Sequence, residues 1–225
     1  MGWKEWVREV EIEPSIYAAD FLRLGQQVDE LLAAGARIFH VDIGDGHFIP
    51  PITIGPVLVQ ALAPVVHARG GRLDCHLMVE NPEHHFDQVA RAGGDSVTFH
   101  VEACADIPAA ATRARSLGLG VGLAFNPDMG VEKTAALSGH ADLVLCMSVH
   151  PGYSGQEFIP ESIGRVRQLR DAVSEQTLVQ VDGGIVESNV GAVRDAGADL
   201  IVAGSAVFYH DDVAEAYGGL VRAAG

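Results

Sequence analysis

The chain has 225 residues, 48% of them hydrophobic and 26 of them glycine, which supplies one large core threaded by tight turns. Its formal net charge is −15 and its pI is near 4.9, which argues against nucleic acid or an anionic membrane surface as a partner. No apolar run is long enough to span a membrane and the opening MGWKEWVRE lacks the apolar stretch of a signal peptide, so the expected location is the cytoplasm.

Met1–Glu9, carrying Trp3 and Trp6, precedes the first strand and is expected to pack across the closed end of the fold or at a subunit contact. A strand is expected over Val10–Pro14, then a helix over Leu22–Ala34, where Leu24, Val28, Leu31 and Leu32 fall at helical spacing. Strand Arg37–Asp42 leads to a short helical segment, Pro56–Ala63, and strand Arg72–Leu77 to a helix over Pro82–Ala92. Ser96–His100 is followed by Ile107–Leu117, Gly120–Phe125 by Val131–Ser138, and Leu143–Met147 by Glu161–Val173. Leu178–Asp182 is followed by Ser188–Ala196, and Leu200–Ala203 precedes a last helix over Val213–Ala224.

Runs this rich in Val, Ile and Leu imply strands buried on both faces, hence a parallel sheet. Eight βα units in this length predict a single α/β domain over residues 1–225, a closed (β/α)8 TIM barrel. An open doubly wound sheet is the competitor. It is disfavoured because polar or Gly-rich ends recur on the second, third, sixth and seventh strands, as a ring of site residues requires. The helix-to-strand turns AGAR, AGGD, LGLG and AGAD echo one another, each placing Gly where a left-handed helix cap needs it.

Cys75, Cys104 and Cys146 form no CxxC, so free thiols are expected, with Cys75 and Cys146 in the core. The two lysines, Lys4 and Lys133, end no strand, which removes Schiff-base chemistry, and no Gly-Lys-Ser/Thr exists for a Walker A loop.

The chemistry concentrates at strand ends. His40 and Asp42 are two residues apart and share a face, as do His76 with Met78 and Gln180 with Asp182. In a barrel these faces converge at the C-terminal mouth. Two imidazoles and two carboxylates suit Zn, Mn, Fe or Co. The competing reading is a satisfied polar cluster. The same carboxylates can instead place an acid and a base on opposite faces of a small substrate. His100 and Glu102 stand behind this group, His84, His85, His140 and His210 are expected to face solvent, and His47 and His150 fall in loops. Separately, Gly183-Gly184, Gly204-Ser205 and the loop PGYSGQ (Pro151 to Gln156) offer backbone N–H groups to a phosphate.

These segments resemble one family. PSI from Pro14, HVDIGDGHFIP from His40 to Pro50, ITIGP from Ile52, DCHLMV from Asp74, MSVHPGYSGQ from Met147, VDGGI from Val181 and Gly204-Ser205 occur in the order of the ribulose-phosphate 3-epimerase family. The resemblance implies a barrel holding one divalent metal through His40, Asp42, His76 and Asp182, with no organic cofactor. It implies Asp42 and Asp182 as the catalytic pair and D-ribulose 5-phosphate as substrate, epimerised at C3 to D-xylulose 5-phosphate through a metal-stabilised cis-enediolate, in pentose phosphate metabolism. Substrate contacts fall to Ser15, His76, Met78, Met147, Gly152, Tyr153, Ser154, Gly155, Gly183, Gly184, Gly204 and Ser205. A homo-oligomer, dimer or hexamer, is implied as well.

The chain departs from the family pattern in places. Gly44 stands where Met is usual, Tyr153 and Ser154 replace Phe and Gly, Tyr17 and Ala18 follow PSI, and Pro51 replaces Asn. Gly44 is expected to open space beside the reacting carbons, which brings in the same chemistry on a longer ketose such as D-allulose 6-phosphate. A lyase of the hexulose-phosphate synthase kind needs a DxKxxD pattern, and no lysine lies near Asp42 or Asp45. A non-catalytic sugar-phosphate-binding barrel is the remaining alternative.

Overall fold

The computed structural model describes residues 3–7 and 9–225. Eight parallel strands form one sheet: β1 (Glu11–Pro14), β2 (Ile38–Gly44), β3 (Arg72–Met78), β4 (Ser96–His100), β5 (Gly120–Phe125), β6 (Leu143–Met147), β7 (Leu178–Asp182) and β8 (Leu200–Ala203). Sequential strands are neighbours from β2 to β8, and β1 pairs with β8. A parallel bridge from Ser15 to His40 joins β1 to β2 and closes the barrel. The expected (β/α)8 architecture is therefore the observed one. Almost every strand residue is buried, as the continuous apolar runs required.

The helices are α1 (Trp3–Trp6), α2 (Leu24–Ala33), α3 (Pro56–Ala68), α4 (Phe86–Ala92), α5 (Ile107–Ser116), α6 (Val131–Ala135), α7 (Ser162–Ala172), α8 (Glu187–Asp195), α9 (Ser205–Phe208) and α10 (Val213–Ala224). Helices α1 and α9 match no expected helix, and three others differ from the sequence reading. Helix α3 runs through Pro64 instead of stopping before it; Pro64 lies on the exposed face, where water can satisfy the carbonyl that the ring leaves unpaired. The segment expected as one helix over Pro82–Ala92 is a 3-10 turn, Pro82–His84, followed by α4. The Val131–Ser138 segment likewise divides into α6 and a 3-10 turn at Ser138–His140. The four echoing turns do put Gly35, Gly93, Gly118 and Gly197 at positive φ, from 81° to 106°. Among the described residues no helix is long and apolar enough to cross a membrane. All three cysteines are buried free thiols.

The barrel interior is layered. At the N-terminal end, α1 closes the barrel with Trp3, only 1% exposed, against Trp6, Ile38, Leu143, Leu178 and Leu200. Met1, Gly2 and Arg8 of the expected N-terminal extension lie outside the described residues. Gly120 makes the seat: a Cβ there would sit 2.7 Å from the Trp3 indole Nε1. Higher up comes a polar layer of Glu13, Asp74, Ser96, Thr98 and Gln180, all buried. The strand ends above it carry the site. The parallel register sets His40 opposite Asp74, Asp42 opposite His76, and Met147 opposite Asp182.

Candidate active site

Strand β2 delivers His40 and Asp42, β3 delivers His76, and β7 delivers Asp182. One ligand atom from each lies within 4.8 Å of the others. His40 Nε2 is 3.2 Å from His76 Nδ1. The Asp42 Oδ1 oxygen is 3.3 Å from the former and 3.1 Å from the latter. Asp182 Oδ2 stands 3.9 Å from both. Two imidazole nitrogens and two carboxylate oxygens turned inward in so small a volume are able to hold one divalent ion. Ser15 donates its hydroxyl to the other oxygen of Asp42 at 2.6 Å, which fixes that carboxylate.

The electrostatics of the cluster drive its two carboxyls apart. Burial disfavours the ionised form of Asp42, but the charge and hydrogen bonds of His40 and the hydrogen bond of His76 outweigh it and hold Asp42 well below the usual carboxylate range. Asp182 moves the other way: burial, and then the charge of Asp42, push it up to about 7. Burial lowers His76 to about 4, helped by the charges of His100 and His40. His40 is raised well above its ordinary value; burial opposes this, and the carboxylates of Asp42, Asp74 and Glu13 prevail. Without an ion, the Asp42 charge is thus offset by His40 and by the proton that Asp182 takes up near neutrality.

Beneath the four lies a layer that the sequence reading did not assign. His40 Nδ1 is 3.0 Å from Asp74 Oδ2 and 3.6 Å from Glu13 Oε2. Gln180 donates its amide to both carboxylates, at 2.7 Å to Glu13 and 3.0 Å to Asp74. Ser96 and Thr98 donate to the remaining oxygen of Asp74. The signal was available: Glu13, Asp74 and Gln180 each precede a site residue by two positions and therefore share its face. Buried carboxylates behind a ligating imidazole orient the ring and raise its basicity.

Glu13 carries a pH dependence. Burial, the largest cause, pushes its carboxyl up to about 7 from an ordinary 4.5. The folded state therefore holds that proton more tightly than the unfolded chain does. The associated stability is complete below the unfolded value of 4.5 and is lost as pH rises through about 7. The loss at the alkaline end is about 3 kcal/mol. Glu13→Gln keeps the shape and removes the titration. In the metal-stripped protein it should raise the urea midpoint at about pH 9 and give almost no advantage at about pH 4, below the unfolded value; equal effects at both would sink this account.

Above the cluster opens a cavity. Ser15, Asp42, Met78, Met147, Gly152, Tyr153, Ser154, Gly155, Asp182, Gly183, Gly184, Gly204 and Ser205 line it, together with Tyr17, Val149, Pro151, Gln156, Ile185 and Val202. His40 and His76 lie fully buried below it. Among the described residues no Lys or Arg lines the cavity, so an anion there meets backbone N–H groups and neutral donors such as Ser154 and Ser205. Gly183 and Gly184 hold φ of 122° and 65°, a conformation that a side chain would strain. A Cβ on Gly184 would also sit 2.4 Å from the Phe158 backbone nitrogen. The strand 6 loop is held by Gln156, which donates to the carbonyls of His150 and Tyr153. Ser154 leans on strand 8, its Oγ 3.3 Å from where a Cβ on Gly204 would be.

One expectation is corrected. Gly44 does not open the mouth. The position its Cβ would occupy is 2.5 Å from Ile49 Cδ1 and 3.2 Å from the Pro51 carbonyl, and Gly44 does not line the cavity. Ile49, 2% exposed, fills that space from the same loop. The loop itself is anchored by Asp45, which accepts hydrogen bonds from the backbone N–H groups of His47, Phe48 and Glu80. Of the other histidines, His47, His67, His84, His140, His150 and His210 are exposed, His85 is half-buried and His100 is buried.

Comparison with known proteins agrees with this geometry. The sequence profile of the ribulose-phosphate 3 epimerase family matches residues 11–208. The chain is 40% identical to a ribulose-phosphate 3-epimerase of Synechocystis sp., over 95% of this chain and 94% of that one. It is 43% identical to one of Mycobacterium tuberculosis, over 95% and 93%. Solved structures share the fold alone: a 3-hexulose-6-phosphate synthase superposes with a TM-score of 0.70 at 19% identity, covering 96% of this chain and 99% of that one. Orotidine 5'-phosphate decarboxylase from Pyrococcus horikoshii OT3 gives 0.69 at 14% identity, covering 94% and 98%. With its profile match running from the first strand past the last, and relatives this similar over nearly their full length, the chain belongs to the ribulose-phosphate 3-epimerase family and is an epimerase.

Proposed function

We propose that this enzyme interconverts D-ribulose 5-phosphate and D-xylulose 5-phosphate by moving a proton at C3, and that residues 1–225 act as one barrel domain. The observation that carries this reading is the pair Asp42 and Asp182. They reach one cluster from β2 and β7, and their proton affinities are driven in opposite directions. Epimerisation beside a ketone removes a proton from one face of a carbon and returns one to the other. It needs one ionised and one protonated carboxyl at the same moment. Asp42 is the group held ionised and Asp182 the group able to carry a proton near neutrality.

His40, Asp42, His76 and Asp182 would hold one divalent ion, of Zn, Mn, Fe or Co. When bound, such an ion polarises the ketone and hydroxyl oxygens and stabilises the charge that builds as the C3 proton leaves. The chain's own groups do the rest. Ser15 keeps Asp42 turned toward the cavity. Met78 and Met147 form apolar walls beside the reacting carbon, and the strand 6 loop lines the cavity above them. The backbone at Gly183-Gly184 and Gly204-Ser205 receives the phosphate, in keeping with a cavity that presents no cationic side chain. A cytoplasmic location in pentose phosphate metabolism and a homo-oligomeric state complete the proposal.

Packing at Gly44 favours the five-carbon substrate, because the room proposed for a longer ketose is filled by Ile49. The decisive assay is turnover of D-ribulose 5-phosphate, coupled to detection of D-xylulose 5-phosphate, after stripping metal and after adding each of the four ions. Activity should vanish and return. The value of kcat/KM should favour the pentulose phosphate over D-allulose 6-phosphate; a preference for the hexulose would overturn the substrate assignment.

A further inference from the structure

We propose that His100 and Glu102, at the end of β4, are positioning residues that keep His76 in the tautomer able to bind a metal ion; this rests on the metal reading above. The Nδ1 atom of His76 faces Asp42 at 3.1 Å and His40 at 3.2 Å, on the side of the ligand cluster. Its other nitrogen, Nε2, points away from the cluster and lies 2.9 Å from His100 Nε2. The two rings are nearly parallel, with 19° between their planes and their centroids 5.1 Å apart, as an end-to-end hydrogen bond requires. Phe48, from the loop anchored by Asp45, packs on His100 at 4.8 Å and shields it. His100 is fully buried, and its Nδ1 has no hydrogen-bond partner within normal range. The nearest acid is Glu102, 3.6 Å from that nitrogen. Glu102 is itself held, since its Oε1 accepts the Asn126 backbone N–H at 2.8 Å.

Two imidazole nitrogens 2.9 Å apart share one proton. If His76 carries it on Nε2, His100 accepts through Nε2 and holds its own proton on Nδ1, facing the Glu102 carboxylate. The lone pair of His76 Nδ1 is then free for an ion. If His100 carries the shared proton instead, His76 must hold its own proton on Nδ1, aimed at the place of the ion, and cannot be a ligand. Asp42, 3.1 Å from His76 Nδ1, favours that second arrangement whenever the ion is absent. The acceptor nitrogen of His100, kept in its tautomer by Glu102, is what opposes Asp42. The pair acts only through His76 and touches no substrate.

The test uses Co2+ as probe with the full-length protein. Affinity is read by titration and ligand geometry by the visible absorption spectrum, for the wild type, His100→Leu, His100→Gln, Glu102→Gln and the double variant His100→Leu/Glu102→Gln. The expected result is a 10- to 100-fold weaker affinity in His100→Leu with an altered spectrum. Glu102→Gln should lose less. His100→Gln, whose amide can still accept a hydrogen bond, should recover a large part of the loss, and it also serves if the Leu variant fails to fold. The double variant should be no worse than His100→Leu, because Glu102 works through His100. At saturating metal the kcat of His100→Gln should approach that of the wild type, which the loss of a group in the chemistry would not allow. Wild-type affinity and spectrum in the variants, or independent losses that add in the double variant, would overturn the relay while leaving the metal reading intact. A wild type that takes up no Co2+ would instead overturn the metal reading, and the relay with it.

Discussion

Replacing either Asp42 or Asp182 by Asn should lower kcat by about 10²- to 10⁴-fold, the range carried by a positioned acid or base, while the barrel remains folded. Asn keeps the size of the side chain but can neither take nor give the proton. The two losses should differ in kind. If each carboxyl serves one face of C3, each variant still exchanges the C3 proton of one epimer with solvent and no longer completes the inversion. Following solvent deuterium into recovered substrate, from both epimers, separates this from simple loss of metal, which stops exchange from either side. Metal content must be measured alongside, because both carboxylates belong to the ligand cluster. Wild-type turnover in either variant would end the two-carboxylate assignment. So would exchange retained equally from both epimers.

The sequence made the barrel legible because its strands are continuous apolar runs and its helices carry 3.6-residue spacing. The four echoing glycine turns fixed the boundaries between units. The site residues were legible for a related reason. Polar side chains at the ends of buried strands have few alternatives to a shared mouth, and alternation assigns their faces. What escaped was whatever depends on contacts between distant segments. Glu13 reads as an ordinary acid before a Pro-Ser turn, yet it faces Gln180 across the barrel, 167 residues away. Gly44 reads as missing bulk, and only the packed loop reveals Ile49 in the vacated volume. Pro64 reads as a helix stop, and only its outward orientation makes it tolerable. Pattern gives the period and the face; the occupant of the space beyond a residue comes from tertiary packing.

The N-terminal segment makes the same point with a measurable consequence. Trp3 and Trp6 offered two readings, a plug or a subunit contact, and the structure places them in the interior apolar cluster with their rings 4.9 Å apart. Trp3→Ala should therefore destabilise the protein by about 3–5 kcal/mol, the loss expected when a buried aromatic is truncated and the barrel strands cannot collapse into the gap. Gly120→Ala attacks the same contact from the other side. Its Cβ would fall 2.7 Å from the indole nitrogen, and displacing the ring should cost about 1–3 kcal/mol. Both substitutions act at the end of the barrel opposite Asp42 and Asp182, so kcat measured well below the unfolding midpoint should stay close to the wild-type value. Urea unfolding and turnover on the same samples decide the matter. A Trp3→Ala variant within about 0.5 kcal/mol of the parent, the usual range for a surface substitution, would mean that the indole merely drapes over the barrel. Lost kcat at full folding would mean that the plug and the mouth are coupled through the polar layer between them.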